Sequence, residues 1–243
     1  MRNNGRNISP LLNVENLVVS YYKKDILFGA SLDVMAGEIV ALVGANGSGK
    51  STLLKTIAGV MRPKSGRITF DSADITGKEP NELARLGVGF LMQGNSIFPS
   101  LTVMEHLQLA AQILAQANLE ERAEIVWKTF PKLALLRHKR AGLLSGGERQ
   151  MLALAMLLIQ KAKVWLLDEP SGGLAPQTVR LVMDVIKQVN QEESITVLLA
   201  EQNLREGLRI SDKVYVLKNG LTFVEAHPEE ILDNGRLEEI FFT

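Results

Sequence analysis

The chain has 243 residues, with 27 Lys plus Arg balanced by 27 Asp plus Glu, and no cysteine. That length supports one large core or two closely joined lobes. Zero net charge argues against nucleic-acid binding through a global field, and the lack of thiols excludes disulfides, thiolate metal sites and cysteine nucleophiles.

In chain order, Met1–Pro10 is polar and lacks an apolar signal core, so residues 1–10 are expected to be disordered and the protein cytoplasmic. Leu17–Val19, Ile26–Phe28, Ser31–Val34 and Arg67–Phe70 read as short strands punctuated by Gly29, Gly37 and Gly66. Between them the buried run Ile39–Val43 leads into Gly44-Ala45-Asn46-Gly47-Ser48-Gly49-Lys50-Ser51-Thr52. A helix follows and ends near Gly59. The spacing G-x-x-x-x-G-K-[ST] between strand and helix is that of a phosphate-binding loop. Glycines let successive N–H groups curl into one concavity, and the helix N-terminus adds its free donors. Lys50 would reach the β- and γ-phosphates, and the Ser51 hydroxyl suits Mg²⁺.

Thr102–Glu105 has capping-box spacing and opens a helix to about Ala117. Asn118–Glu121 opens another, to about Phe130, and Ser145–Glu148 a third. Residues from about 95 to 161 thus read as a helical block inserted between strands. Its longest apolar run, Met151–Ile159, is far short of the ~20 residues that span a bilayer, so any membrane role needs a partner that supplies the spans. Val164–Leu167 and Ile195–Leu199 are continuous apolar strands flanking a helix from Gln177 to Gln191. That alternation indicates a parallel sheet covered on both faces. Val214–Leu217 and Leu221–Val224 form a hairpin around Asn219-Gly220, and a last helix runs from Pro228 to Phe241.

Asp168-Glu169 ends an apolar strand, at the edge where open α/β sheets bind ligands. If that strand lies beside the phosphate-loop strand, Asp168 can hold a metal and Glu169 can orient or deprotonate a water for attack on the γ-phosphorus. His106, His138 and His227 read as ordinary surface or partly buried residues.

Leu144-Ser145-Gly146-Gly147-Glu148-Arg149-Gln150, between the phosphate loop and the Asp-Glu strand, resembles the signature of ABC-type ATP-binding cassettes. The resemblance spans nearly the whole chain. It implies an α/β P-loop NTPase core with a mainly parallel sheet, an N-terminal antiparallel β subdomain and an inserted helical subdomain. In residue terms, one domain covers 11–243, with the core and β lobe in 11–94 and 162–243 and the helical part in about 95–161. It implies Mg²⁺-dependent ATP hydrolysis, with Tyr21 (or Tyr22) stacking on adenine and Gln93 touching Mg²⁺ and the attacking water. Ser171–Pro176 is similar to the loop that meets an opposing subunit.

Such cassettes pair head to tail, each ATP lying between one phosphate loop and the partner's Ser145-Gly146-Gly147. They dock on transmembrane permease subunits at the inner face of the membrane, with Ile97, Phe98 and Leu101 as candidate contacts. Where most cassettes carry a His contacting the γ-phosphate, this chain has Gln202, an amide that can donate a hydrogen bond but carries no charge. Glu201-Gln202-Asn203, Leu174-Ala175-Pro176 and the C-terminal Phe-Phe-Thr are similar to an ATPase subunit of branched-chain amino-acid importers. That likeness implies import served by an external binding protein. Export, lipid extraction and soluble non-transport ATPases are the alternatives, and no nucleic-acid partner is expected.

Overall fold

The computed structural model describes residues 9–21, 24–94, 97–113 and 119–233. Ten strands and nine α-helices are described. Strands β1 (Leu12–Tyr21) and β2 (Lys24–Val34) come first, then β3 (Ile39–Val43), α1 (Lys50–Ile57), β4 (Ser65–Phe70) and β5 (Ala73–Asp74). Helix α2 (Pro80–Leu86), β6 (Val88–Leu91), α3 (Val103–Ala111), α4 (Leu119–Thr129), α5 (Pro131–Leu135) and α6 (Gly146–Ile159) follow. The last third holds β7 (Val164–Asp168), α7 (Pro176–Glu193), β8 (Thr196–Ala200), α8 (Leu204–Ile210), β9 (Lys213–Lys218), β10 (Leu221–Ala226) and α9 (Pro228–Asp233).

One sheet has the order β2-β1-β4-β5 and is antiparallel; the other has the order β10-β9-β3-β8-β7-β6. In the second, β9, β3, β8, β7 and β6 run parallel, and only β10 is antiparallel. Alternate side chains of its central strands feed two different cores. Val164 and Leu166 of β7 face the core shared with the antiparallel sheet, while Trp165 and Leu167 face the helices. Leu198 and Ala200 of β8 join the first core, Val197 and Leu199 the second. A strand buried on both faces has little room for polar side chains, which is why β3, β7 and β8 are apolar except for Asp168 at the end of β7 and Thr196 at the start of β8.

Several sequence expectations change. Ile26–Phe28 and Ser31–Val34 belong to one strand. Gly29 and Gly66 lie inside β2 and β4, because their left-handed φ values of 120° and 96° bend the chain without ending its pairing. Strand β6 and helices α2, α5 and α8 were not anticipated. Only Leu83 of α2 is buried, so no helical apolar period is visible there, and β6 is four residues long with an internal glycine.

Helix α3 closes at Ala111 with Gln112 as its cap; 114–118 lie outside the described residues, as do Tyr22, residues 1–8 and the predicted extension of α9 beyond 233. His106 is fully buried, against expectation. Its Nε2 accepts from the Phe98 N–H at 2.8 Å and its Nδ1 lies 2.7 Å from the Thr102 carbonyl. His138 and His227 are exposed. The Asn219-Gly220 turn has both φ values positive (49° and 75°), as a two-residue hairpin turn requires.

Asn190, in the last turn of α7, ties the helix to the sheet. Its side-chain amide donates to the carbonyls of Gly37 and Ile195, both at 2.7 Å, at the entries to β3 and β8. Asn190→Ala should leave both acceptors unpaired and lower the unfolding free energy in urea by about 2 kcal/mol. Asn190→Asp should cost more, because a carboxylate cannot donate to either carbonyl.

Candidate functional site

The loop between β3 and α1 passes under β9 too closely for a side chain at its first residue. A Cβ on Gly44 would sit 2.2 Å from the Leu217 carbonyl oxygen. Ala45, Asn46 and Gly47 are exposed, and Ser48, Gly49 and Lys50 are buried. Gly49 caps α1 in the left-handed region. The Lys50 ammonium donates to the carbonyls of Gly44 (2.8 Å) and Ala45 (3.1 Å). Burial pushes its pKa down, and the charges of Glu169, Asp168 and Glu201 oppose that shift.

Three further strand ends converge on this loop. Strand β7 is not beside β3, because β8 lies between them. The link expected from adjacency is made instead by α1, which packs over β7 and β8. Ser51 in its first turn donates to Asp168 Oδ1 at 2.8 Å. Asp168 is buried, and desolvation raises its carboxyl pKa against the opposing Ser51 hydrogen bond. Its Oδ2, like the Ser48 hydroxyl, is buried without a hydrogen-bond partner among the described residues. The unpartnered Asp168 oxygen and the Ser51 hydroxyl bonded to its other oxygen form a hard donor pair that fits Mg²⁺, which typically takes one or two protein oxygens and completes its shell with water and phosphate.

Glu169 sits in the left-handed region at φ 50°, its N–H bonded to the Ala200 carbonyl at 2.8 Å. Its carboxylate is held at both oxygens. Gln93, two residues past β6, donates to Oε2 at 2.5 Å, and Gln202, two residues past β8, donates to Oε1 at 2.6 Å. Since β7 lies between β6 and β8, the two amides reach Glu169 from its two flanking strands. Each carboxylate oxygen can accept a second bond, so the clamp orients Glu169 and leaves it able to take a proton from water.

The residues expected to meet a partner lie elsewhere. Ser145 caps α6, accepting from the Glu148 N–H at 3.3 Å, while Glu148 accepts from the Ser145 N–H at 2.8 Å. This is the expected capping box, and α6 is buried along most of its length as its composition implies. Ser145, Gly146 and Gly147 share a cavity of about 500 Å³ with Gly173, Leu174 and Ala175. No hydrogen bond joins them to the phosphate loop among the described residues. Tyr21 ends β1 and is 59% exposed, in the hairpin whose Leu27 packs in the core beside Leu53. Thr52 contributes its carbonyl to the Thr56 hydroxyl. Ile97 packs on the helical core, while Phe98 is exposed.

One residue at the site was not anticipated. Glu201 is a buried carboxylate directly after β8. Its signal was available: an acid immediately after the apolar run Val197–Ala200, the same pattern that marked Asp168-Glu169.

Comparison with known proteins decides the family. The ABC transporter family model matches residues 27–172, which contain the phosphate loop, the capped α6 and the Asp168-Glu169 strand end. The chain belongs to the ABC transporter ATP-binding family. This cassette is 37% identical to the Archaeoglobus fulgidus protein named "Probable branched-chain amino acid transport ATP-binding protein LivF", over 95% of this chain and 98% of that one. It is 32% identical to the lipopolysaccharide export system ATP-binding protein LptB of Escherichia coli K12, over 95% and 96%. Among solved structures, an ABC transporter cassette in its ADP conformation superposes with a TM-score of 0.83 at 29% identity, over 95% and 97% of the two chains. A dimeric bacterial ABC transporter cassette superposes with a TM-score of 0.79 at 25% identity, over 89% and 98%.

The cassette's capping box is testable by acid. Backbone hydrogen bonding from Ser145, then the Lys132 ammonium at 2.9 Å, hold the Glu148 carboxyl down at about 2, against an ordinary 4.5. A depressed folded pKa gives stability that is present above pH 4.5 and lost as the pH falls toward 2. Glu148→Gln should be less stable by about 1 kcal/mol at pH 7. Melting curves of the two proteins should converge between pH 4.5 and 2.

Proposed function

We propose that this cassette binds Mg²⁺-ATP at the Gly44–Thr52 loop and hydrolyses it with Glu169 as general base, driving solute import through a membrane permease. The observation that carries the reading is the double amide clamp on Glu169 beside the Ser51–Asp168 pair. In this reading Lys50 exchanges its two loop carbonyls for the β- and γ-phosphates, and the N–H groups of Gly47–Lys50 line the anion's cradle. Ser51 and Asp168, with Gln93, would hold Mg²⁺, whose charge would offset that of the phosphates. Tyr21 stacks on adenine. Glu169 takes the proton of the attacking water, and Gln93 and Gln202 fix its direction.

Pairing follows from the two anion-binding ends. Ser145-Gly146-Gly147 is a capped helix N-terminus separate from the phosphate loop, so a second cassette supplies it to the same nucleotide. The dimeric relative supports this arrangement. The single domain 11–243, with its helical part at about 95–161, is read as contacting the permease through Phe98 and its neighbours at the cytoplasmic face. No described helix is long and apolar enough to cross a membrane. Branched-chain amino acids, delivered by an external binding protein, are the solute class that the LivF likeness favours. The LptB likeness favours a second reading, ATP-driven export of a lipid. Purifying the cassette with its native membrane partner separates the two: a permease that moves leucine into vesicles supports import, and one that extracts lipid overturns it.

Glu169→Gln should lower turnover at least ~100-fold, while light scattering still detects ATP-driven pairing; full turnover would refute the assignment. Gln202 has no proton to lose near neutrality. Gln202→His should raise turnover and add an ionisation near about pH 6.5 to the rate profile, where the native enzyme shows none from this position.

A further inference from the structure

We propose that Glu201 is a positioning residue for hydrolysis: its carboxylate ties the loop after Glu169 to the backbone carrying Gln202, and so sets the Gln202–Glu169 contact. The proposal rests on Glu169 being the catalytic carboxylate.

Glu201 is 2% exposed. Its Oε2 accepts from the Ser171 N–H at 3.3 Å, and its Oε1 accepts from the N–H groups of Gln202 (2.8 Å) and Asn203 (2.9 Å). All three donors are main chain. Ser171 lies two residues after Glu169, and the Gln202 side chain reaches Glu169 Oε1 at 2.6 Å. The bonds therefore close a circuit from Glu169 along the chain to Ser171, across Glu201 to Gln202, and back through the amide to Glu169. The Glu169 N–H to Ala200 carbonyl bond ties the same two segments a second time.

A buried carboxylate is costly unless hydrogen bonds replace its lost water. Here the bonds that do so all come from the two segments that carry the reacting groups. The pocket is also fitted to the acid. A Cβ on Gly207 of α8 would come within 3.3 Å of Glu201 Cβ and 3.4 Å of its Cγ. Ser171 opens the loop proposed to meet the opposing cassette. Glu201 thereby makes the Glu169–Gln202 geometry depend on where that loop sits, and hydrolysis depend on the partner's arrival.

Glu201→Gln keeps the shape but turns an NH₂ toward one set of backbone N–H groups, donor against donor. In the assembled transporter, kcat should fall about tenfold or more, because small misplacements of reacting groups are expensive. KM for ATP and the affinity for a fluorescent ATP analogue should stay within about twofold. Because Glu201 acts through Gln202, the double variant with Gln202→Ala should be no slower than the slower single variant. Gly207→Ala keeps the acid and improves helix propensity, so it tests the proposal even if Glu201→Gln folds poorly. It should lower kcat without lowering the melting temperature.

Wild-type turnover in Glu201→Gln would overturn the proposal. So would a double variant whose loss is the product of the two single losses, or a Gly207→Ala whose kcat falls only in step with its stability. The Glu169→Gln control separates the two levels. If it retains turnover, the reading of Glu169 fails and the proposal with it. If it is inactive while Glu201→Gln is normal, only the role of Glu201 fails.

Discussion

The site depends on strands running in the same direction. Because β3, β6, β7 and β8 are parallel, their C-terminal ends lie along one edge of the sheet. Apart from Thr196 at the entry to β8, each of these strands is apolar up to its C-terminal end, and the first polar residues then emerge at that edge. Gly44–Lys50, Gln93, Asp168-Glu169 and Glu201-Gln202 are far apart in sequence and meet for this reason alone. Burial on both faces enforces the register, since a shift by one residue would exchange the side chains of the two cores.

The charge arrangement follows from the same convergence. Lys50 is a buried ammonium among three carboxylates, Asp168, Glu169 and Glu201, and each carboxylate has a different set of partners. Asp168 meets a hydroxyl at one oxygen, and its other oxygen is buried without a hydrogen-bond partner among the described residues. Glu169 meets two neutral amides. Among the described residues, Glu201 meets only backbone N–H groups. The environments set the three acids apart in a way that the residue type alone does not, and the proposed roles follow those differences: holding a cation, handling a proton, and fixing the chain.

Much of this was legible in the sequence where one physical signal dominated. The phosphate loop, the Ser145 cap, the Asn219-Gly220 turn and the apolar strands β3, β7 and β8 each carry a local pattern that tertiary structure only confirms. Strand β6 and helix α2 were not legible, because a glycine-containing four-residue strand and a helix with one buried residue have little pattern of their own. The strand order was not legible either. The sequence places β7 and β8 after β3 but does not say which one touches it. His106 was misjudged because its burial depends on two backbone partners, the Phe98 N–H and the Thr102 carbonyl, that its own surroundings do not announce.

The placement of β8 has a consequence for how the molecule is made. Strand β3 pairs only with β8 and β9, which begin at Thr196 and Lys213. While the ribosome is still synthesising the helical segment, Ile39–Val43 therefore has both edges open and no sheet to join. The nascent chain carries an adhesive segment for more than half of its synthesis, and long-range parallel pairing of this kind forms slowly. Emergence of Thr196–Lys218, rather than of the phosphate loop, is what gives β3 its two neighbours in the sheet.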